Sequence, residues 1–387
     1  MSVTVPAGFE AAGIACGIKD GEVPDLALVA TADRQPVPAA GVFTTNLATA
    51  APVQVSRDHL RNGRAAAVIL NSGNANAATG EQGRRDARRM CELTARELGC
   101  EPDDVLVCST GLIGIPLPMA PIEAGIPKLV AALSAEPGGA EAAAAMLTTD
   151  TVRKETVVRV ADSAAVVGGM AKGAAMLAPS LATMLAVLAT DAGSDPDQLG
   201  DALRSAVDES FNSLIVDGCT STNDTVLVLA SGAASTAAPD LSDALGAACA
   251  DLAHQMAADA EGATKRASVT VRGASTREDA RRAARSVAAS QLVQCSLNGA
   301  DPYWGRVLSE LGASGATFDP ERVTIAYDDV VVCRDGIAAV HDAKELARVM
   351  AETEIAITCD LQEGSETARV LCTDLSHAYI DENRRTS

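Results

Sequence analysis

The sequence predicts a layered α/β or α+β fold with a mainly antiparallel or mixed sheet, on three observations. Apolar residues make up 48% of the 387, yet Phe, Trp and Tyr together make up only 2%. The core is therefore built from Ala, Val, Leu and Ile, small side chains that suit closely packed layers. Strand-like and helix-like segments alternate along the chain, and no fixed-period repeat points to a solenoid. The 31 basic and 51 acidic side chains leave a formal charge of −20. That argues against nucleic-acid partners, which need a basic surface, and against docking to anionic lipid.

Residues 26–31 and 64–70 read as buried strands. The second runs into a small-residue loop over 71–80. A charged amphipathic helix follows over about 81–99, stopped by Gly99. The strand at 105–107 ends in Cys108-Ser109-Thr110-Gly111-Leu112-Ile113-Gly114. The Ala-rich stretch 139–147 is helical, and 155–170 reads as a hairpin of two β-branched strands. Further strands fall at 225–230 and 268–272, and helices at 240–260, 277–292 and 303–312. Hairpins at 321–334 and 355–372 flank a helix at 341–352. No Pro-, Gly- and Ser-rich linker marks a domain boundary.

The stretch 173–190 carries no charge in 18 residues, long enough to be a membrane-span candidate. Pro179 interrupts it and no basic cluster flanks it, so a loop followed by a buried central strand at 183–190 is the better reading. The N-terminus has neither the basic nor the apolar region of an export signal. Ten cysteines are scattered without a C-x-x-C pair, which reads as reduced thiols in a cytoplasm. Four histidines lack metal-ligand spacing, so no metal site is expected.

Within the uncharged stretch stands Leu181-Ala182-Thr183-Met184-Leu185, preceded by Gly169-Met170-Ala171-Lys172-Gly173. These runs resemble the A-T-M-L and G-x-A-K-G hallmarks of the ornithine acetyltransferase family, the glutamate N-acetyltransferases of arginine biosynthesis. The resemblance extends nearly end to end, through Asn71–Ala77, Ser109–Gly114, Thr148–Thr151, Ser221–Thr225, Asp259–Lys265 and Asp301–Arg306. It implies an α-β-β-α-type sandwich with mixed sheets, of the kind shared with self-processing aminopeptidases. It also implies self-cleavage between Ala182 and Thr183, giving an α fragment 1–182 and a β fragment 183–387 that assemble as an α2β2 heterotetramer.

The chemistry behind that implication is simple. A threonine hydroxyl is a weak nucleophile without an adjacent base. Once Thr183 is an N-terminus, its own α-amine, with a reference pKa near 8, supplies that base. Without the resemblance Thr183 would be an ordinary β-branched strand residue. The family pattern makes Thr183 the nucleophile and gives the oxyanion hole to the Thr110 hydroxyl and the Gly111 amide; otherwise this pair is a plain strand-ending turn. Thr151, Lys172, Thr183, Glu261, Asn383 and Ser387 are implied at the substrate. Lys172, one of six lysines against 25 arginines, suits a carboxylate, with a snorkelling surface lysine as the alternative. Glu261 suits an ammonium, with a solvated helix-end residue as the alternative. The tail is one residue shorter than the family's, lacks its usual Tyr, and leaves Thr386 or Ser387 as the last contact. Tyr303 replaces the family's Asn and receives no role, and the Asn71–Ala77 loop reads as structural support near the site.

The implied reaction moves acetyl from N2-acetylornithine to L-glutamate through an acetyl-Thr183 ester. No cofactor is implied, although acetyl-CoA can serve as a second donor. The rival reading is a self-processing N-terminal-nucleophile hydrolase or aminopeptidase, in which water replaces glutamate.

Overall fold

The structure is a computed structural model and describes residues 2–177, 184–235 and 239–384. It divides into two compact units. The first comprises the chain up to Asn212 together with Cys219–Met256. The second comprises Ser213–Gly218 and the chain from Ala257 onward.

Along the first unit run β1 (Phe9–Ile14), β2 (Leu26–Thr31), β3 (Val37–Phe43), α1 (Ala51–His59), β4 (Arg64–Ala65), β5 (Ala67–Asn74), α2 (Gly80–Leu98) and β6 (Val105–Leu112). They are followed by α3 (Met119–Ala131), α4 (Gly138–Ala145), β7 (Lys154–Arg159), β8 (Val166–Lys172), β9 (Leu185–Ala192) and α5 (Pro196–Glu209). After the two-residue β10 (Leu214–Ile215), which belongs to the second unit, come β11 (Thr225–Ser235) and α6 (Ser242–Ala258).

Two mixed sheets form the centre of this unit, with strand orders β1-β2-β5-β6 and β4-β3-β11-β9-β8-β7. In the first, β5 and β6 are parallel and the other pairs antiparallel. In the second, β9 is parallel to β11 and antiparallel to β8. Alternation sends every second side chain to each face. Val29, Val68, Leu70 and Leu106 of the first sheet meet Leu185, Val187, Leu227 and Leu229 of the second in one buried cluster. Leu28, Ile69 and Val107 point the other way, onto Met90 and Cys91 of α2 and Ile126 and Leu129 of α3. On the far side of the second sheet, α5 packs against β3 and β11. There a Cβ on Gly169 of β8 would meet Leu188 at 2.5 Å and Leu252 of α6 at 3.4 Å, so glycine lets the helix approach. The layers run helix, sheet, sheet, helix: the α-β-β-α sandwich with mixed sheets that the resemblance implied.

The second unit continues with β12 (Arg266–Ala274), α7 (Arg277–Ala289), α8 (Gln291–Asn298), α9 (Trp304–Ala313), β13 (Thr324–Tyr327) and β14 (Val330–Arg334). It ends with β15 (Ile337–Ala338), α10 (Ala343–Ala351), β16 (Glu354–Asp360), β17 (Glu366–Thr373) and α11 (His377–Asn383). One sheet, β10-β17-β12-β16-β13-β14-β15, buries Val269, Val271, Ile325 and Ile357 against Ala284, Val287, Leu297 and Leu311.

Several expectations need correcting. The 71–80 loop starts late, because β5 runs on to Asn74. Its polar residues stay in the strand since their side chains bond neighbouring backbone, as when Asn71 Nδ2 donates to the Asn74 carbonyl at 2.8 Å. The segment 355–372 is not a hairpin: β12 lies between β16 and β17 and pairs with both. The helix over 277–292 is two helices, broken where the Ser290 hydroxyl caps α8 by accepting from the Val293 amide. The hairpins at 155–170 and 321–334 are present. The uncharged stretch runs into Leu185–Ala192, a fully buried central strand. Among the described residues no helix is long and apolar enough to cross a membrane.

Candidate active site

The site is built where β5 and β6 end and β9 begins, all in the first unit. Thr110 and Gly111 lie in the last turn of β6, with Thr110 buried. Gly111 has φ +134, and a Cβ there would sit 2.2 Å from the Gly73 carbonyl carbon and 2.4 Å from the Asn74 nitrogen. Only glycine fits this position, both by backbone conformation and by space. The pairing of β5 and β6 shifts register between Gly73 and Asn74, a bulge that re-aims the strand end as bulges near functional sites do.

Buried amides hold that bulge. Asn71 Oδ1 accepts from the Ser109 hydroxyl at 2.6 Å. Asn74 Nδ2 donates to the Ile115 and Pro116 carbonyls, and its Oδ1 accepts from the Asn76 amide at 2.8 Å. The Asn71–Ala77 stretch thus braces the strand end that carries Thr110 and Gly111. Asn223 Nδ2 reaches across to the Ala75 carbonyl at 2.6 Å and the Ser109 carbonyl at 2.9 Å. The next residue, Asp224, accepts from the Met184 amide at 2.9 Å. Burial pushes the Asp224 carboxyl well above its usual range, against the lowering pull of that amide and of the Lys172 ammonium.

Lys172 ends β8 and is paired with Leu185, the first residue of β9. It is buried rather than snorkelling. Its ammonium lies 3.7 Å from Asp150 Oδ2, an ion pair too long for a hydrogen bond. Asp150 is more tightly bound elsewhere: Oδ1 accepts from Lys154 Nζ and from the Gly173 amide, both at 2.7 Å. Burial alone would raise this carboxyl, but the Lys172 and Lys154 ammoniums and the hydrogen bonds outweigh it and hold it at about 2. Burial and the Lys172 charge depress the nearby Lys19, whose ammonium donates to the Pro24 and Leu147 carbonyls. Three half- to fully buried lysines thus share this corner with the Asp25 and Asp150 carboxylates. Thr151, next to Asp150, is exposed.

In the second unit, Glu261 and Asn383 come together. Asn383 Nδ2 donates to Glu261 Oε2 at 2.7 Å and to the Tyr379 carbonyl at 3.0 Å. Glu261 is 9% exposed, so it is not a solvated helix end. The Tyr379 hydroxyl donates to Asp217 at 3.1 Å, which anchors α11. Ala182, Thr183, Thr386 and Ser387 lie outside the described residues, as does the proposed cut between fragments 1–182 and 183–387.

Sequence reasoning gave no role to Asp150, Lys154, Asn223 or Asp224. The signal was present, since Asp150, Asn223 and Asp224 stand inside two of the matching motifs, but several of their partners are far away in sequence, Gly173 by 23 residues and Ala75 by 148.

Fold and site together define a two-sheet α-β-β-α protein with buried lysines and a glycine turn at one set of strand ends. The ArgJ family model matches residues 10–386, and the chain belongs to the ArgJ family. The chain is 47% identical over 391 residues to the "Arginine biosynthesis bifunctional protein ArgJ" of Symbiobacterium thermophilum, covering 98% of this chain and 97% of that one. It is 49% identical over 391 residues to the protein of the same name from Mycobacterium tuberculosis H37Rv, covering 99% and 96%. A solved ornithine acetyltransferase from Mycobacterium tuberculosis, in complex with ornithine, matches 46% of this chain and 95% of its own at 46% identity and TM-score 0.44.

Proposed function

We propose that the chain is a self-processing enzyme of arginine biosynthesis that transfers acetyl from N2-acetylornithine to L-glutamate. The Thr183 hydroxyl attacks the Ala182 carbonyl, the acyl group shifts from nitrogen to oxygen, and water hydrolyses the ester. This leaves an Ala182 carboxylate and a free Thr183 amine. That amine takes the hydroxyl proton as Thr183 attacks acetylornithine, and passes it to the departing ornithine amine. The glutamate amine then attacks the acetyl ester, giving N-acetylglutamate and restoring the hydroxyl. Acetyl-CoA is a second donor to the same ester. The fragments 1–182 and 183–387 remain together as an α2β2 assembly in the cytoplasm.

The observation that supports this reading best is Lys172: a buried ammonium opposite Leu185, two residues past Thr183, with no carboxylate hydrogen-bonded to it among the described residues. It suits the α-carboxylate shared by both amino-acid substrates. Thr151 beside Asp150, and Glu261 with Asn383 and Ser387, complete the proposed substrate contacts. Thr110 and Gly111 face the developing oxyanion, and Thr110→Val lowers kcat roughly a hundredfold in a folded protein; unchanged turnover removes Thr110 from the mechanism.

Mass spectrometry of the purified, active chain tests the whole reading. Two fragments, the second beginning at Thr183, are expected. An intact, active 39.3 kDa chain contradicts it. Ornithine release that requires glutamate marks a transferase, whereas equal release without glutamate marks a hydrolase.

A further inference from the structure

We infer that Asn223 and Asp224 are positioning residues for the reaction: two consecutive side chains that hold the Thr110–Gly111 turn and the first residues of β9 in one register. The inference rests on the reading of Thr183 as the nucleophile.

Asn223 is 5% exposed and every polar group of its side chain is used. Its Nδ2 spends its two hydrogens on carbonyls of two different segments, Ser109 just before Thr110 and Ala75 just after β5. Its Oδ1 accepts from the Thr222 hydroxyl at 2.6 Å, and its amide donates to Ser221 Oγ at 3.1 Å. A fully satisfied buried amide of this kind admits one geometry, because any shift strands a polar group away from water.

Asp224 and Thr225 continue the same segment onto β9. Asp224 Oδ1 accepts from the Met184 amide, and the Thr225 amide donates to the Met184 carbonyl at 3.2 Å. Both peptide groups of Met184 are therefore held. Met184 follows Thr183 directly, so one Cα–Cα step of about 3.8 Å carries this constraint to the nucleophile. The same three residues thus tie the Ser109 and Ala75 carbonyls to both peptide groups of the residue that follows Thr183 in sequence. Asp224 Oδ2 is buried without a hydrogen-bond partner among the described residues. What Asp224 contributes to this register is an acceptor at fixed position, its Oδ1 aimed at the Met184 amide.

The test uses the full chain with Asn223→Ala, Asp224→Ala and Asp224→Asn. Extent of cutting, melting temperature, kcat, KM for acetylornithine and the pH profile are measured. A displacement of about an ångström in a reacting pair costs on the order of a hundredfold. Both alanine variants are therefore expected to slow cutting and to lower kcat by about that factor, with KM unchanged because Lys172 is untouched. Asp224→Asn keeps an acceptor of the same shape, and is expected to restore kcat with the wild-type pH profile. Asn223→Gln moves the amide by one methylene without emptying the site. It gives the same loss in kcat, and serves where the alanine variant fails to fold. Alanine variants with wild-type kcat overturn the inference. So does an Asp224→Asn variant as slow as Asp224→Ala with a shifted pH profile, which would make Asp224 a proton carrier. A wild-type chain that is never cut and forms no ester at Thr183 sinks the underlying reading instead.

Discussion

A chain carrying Thr183→Ala runs as a single 39.3 kDa species and transfers no acetyl group. Both halves of the result have one cause. Without the hydroxyl there is no atom to receive the Ala182 acyl group, so the peptide bond stays intact and the amine that would serve as base is never released. Loss of a covalent nucleophile costs on the order of a millionfold in kcat, so residual turnover falls below detection. Thr183→Ser keeps the oxygen and is expected to restore cutting and measurable transfer. A denaturing gel, intact mass and an acetylornithine assay read both variants, and cleavage at Ala182 in the alanine variant would end the proposal.

Asp150→Asn is the largest stability effect expected. In the native protein two buried ammoniums face this one carboxylate. Removing its charge takes a buried carboxylate partner from both, a change that costs on the order of 3–5 kcal/mol. The pH dependence has a definite sign. The folded carboxyl is held at about 2, below the value of about 3.9 for an unfolded aspartate. Its stabilisation is complete above about pH 4 and is lost as pH falls toward 2, on the order of 2–3 kcal/mol. Thermal melts between pH 5 and pH 2 should show the wild type losing stability in that window while Asp150→Asn, already destabilised, changes less. Parallel curves for the two proteins would show that Asp150 does not carry this charge balance.

The elements with strong local signals were legible. The α2 helix ends at Leu98 because Gly99 adopts φ +79, as the isolated glycine after an amphipathic run predicts. The strand over 26–31 matches β2 because its six residues are all buried and read as a continuous apolar run. What was misread depends on distant residues. β16 and β17 look like hairpin partners, but β12, some 90 residues earlier, takes the place between them. Asn71–Asn74 reads as loop by residue type, and is strand because each polar side chain finds backbone to bond. The site divides in the same way. Lys172 stood out through the scarcity of lysine and its apolar neighbours. Asp224 did not, since an acidic residue among Ser, Thr and Asn looks solvated until the Met184 amide is seen to fall on it.

The place of β9 has a consequence for the history of each molecule. It lies between β8, encoded before the proposed cut, and β11, encoded after it. Folding the uncut chain is a unimolecular event, in which β8 and β9 are joined by only a dozen residues and meet at modest entropic cost. Once the chain is severed that tether is gone, and restoring the sheet requires two separate polypeptides to meet. Refolding becomes concentration-dependent for mature protein, whereas a Thr183→Ala chain keeps a rate independent of dilution. The proposed cut would thus work as a ratchet: the sequence would assemble its central sheet cheaply once, and afterwards hold it by the barrier to unfolding.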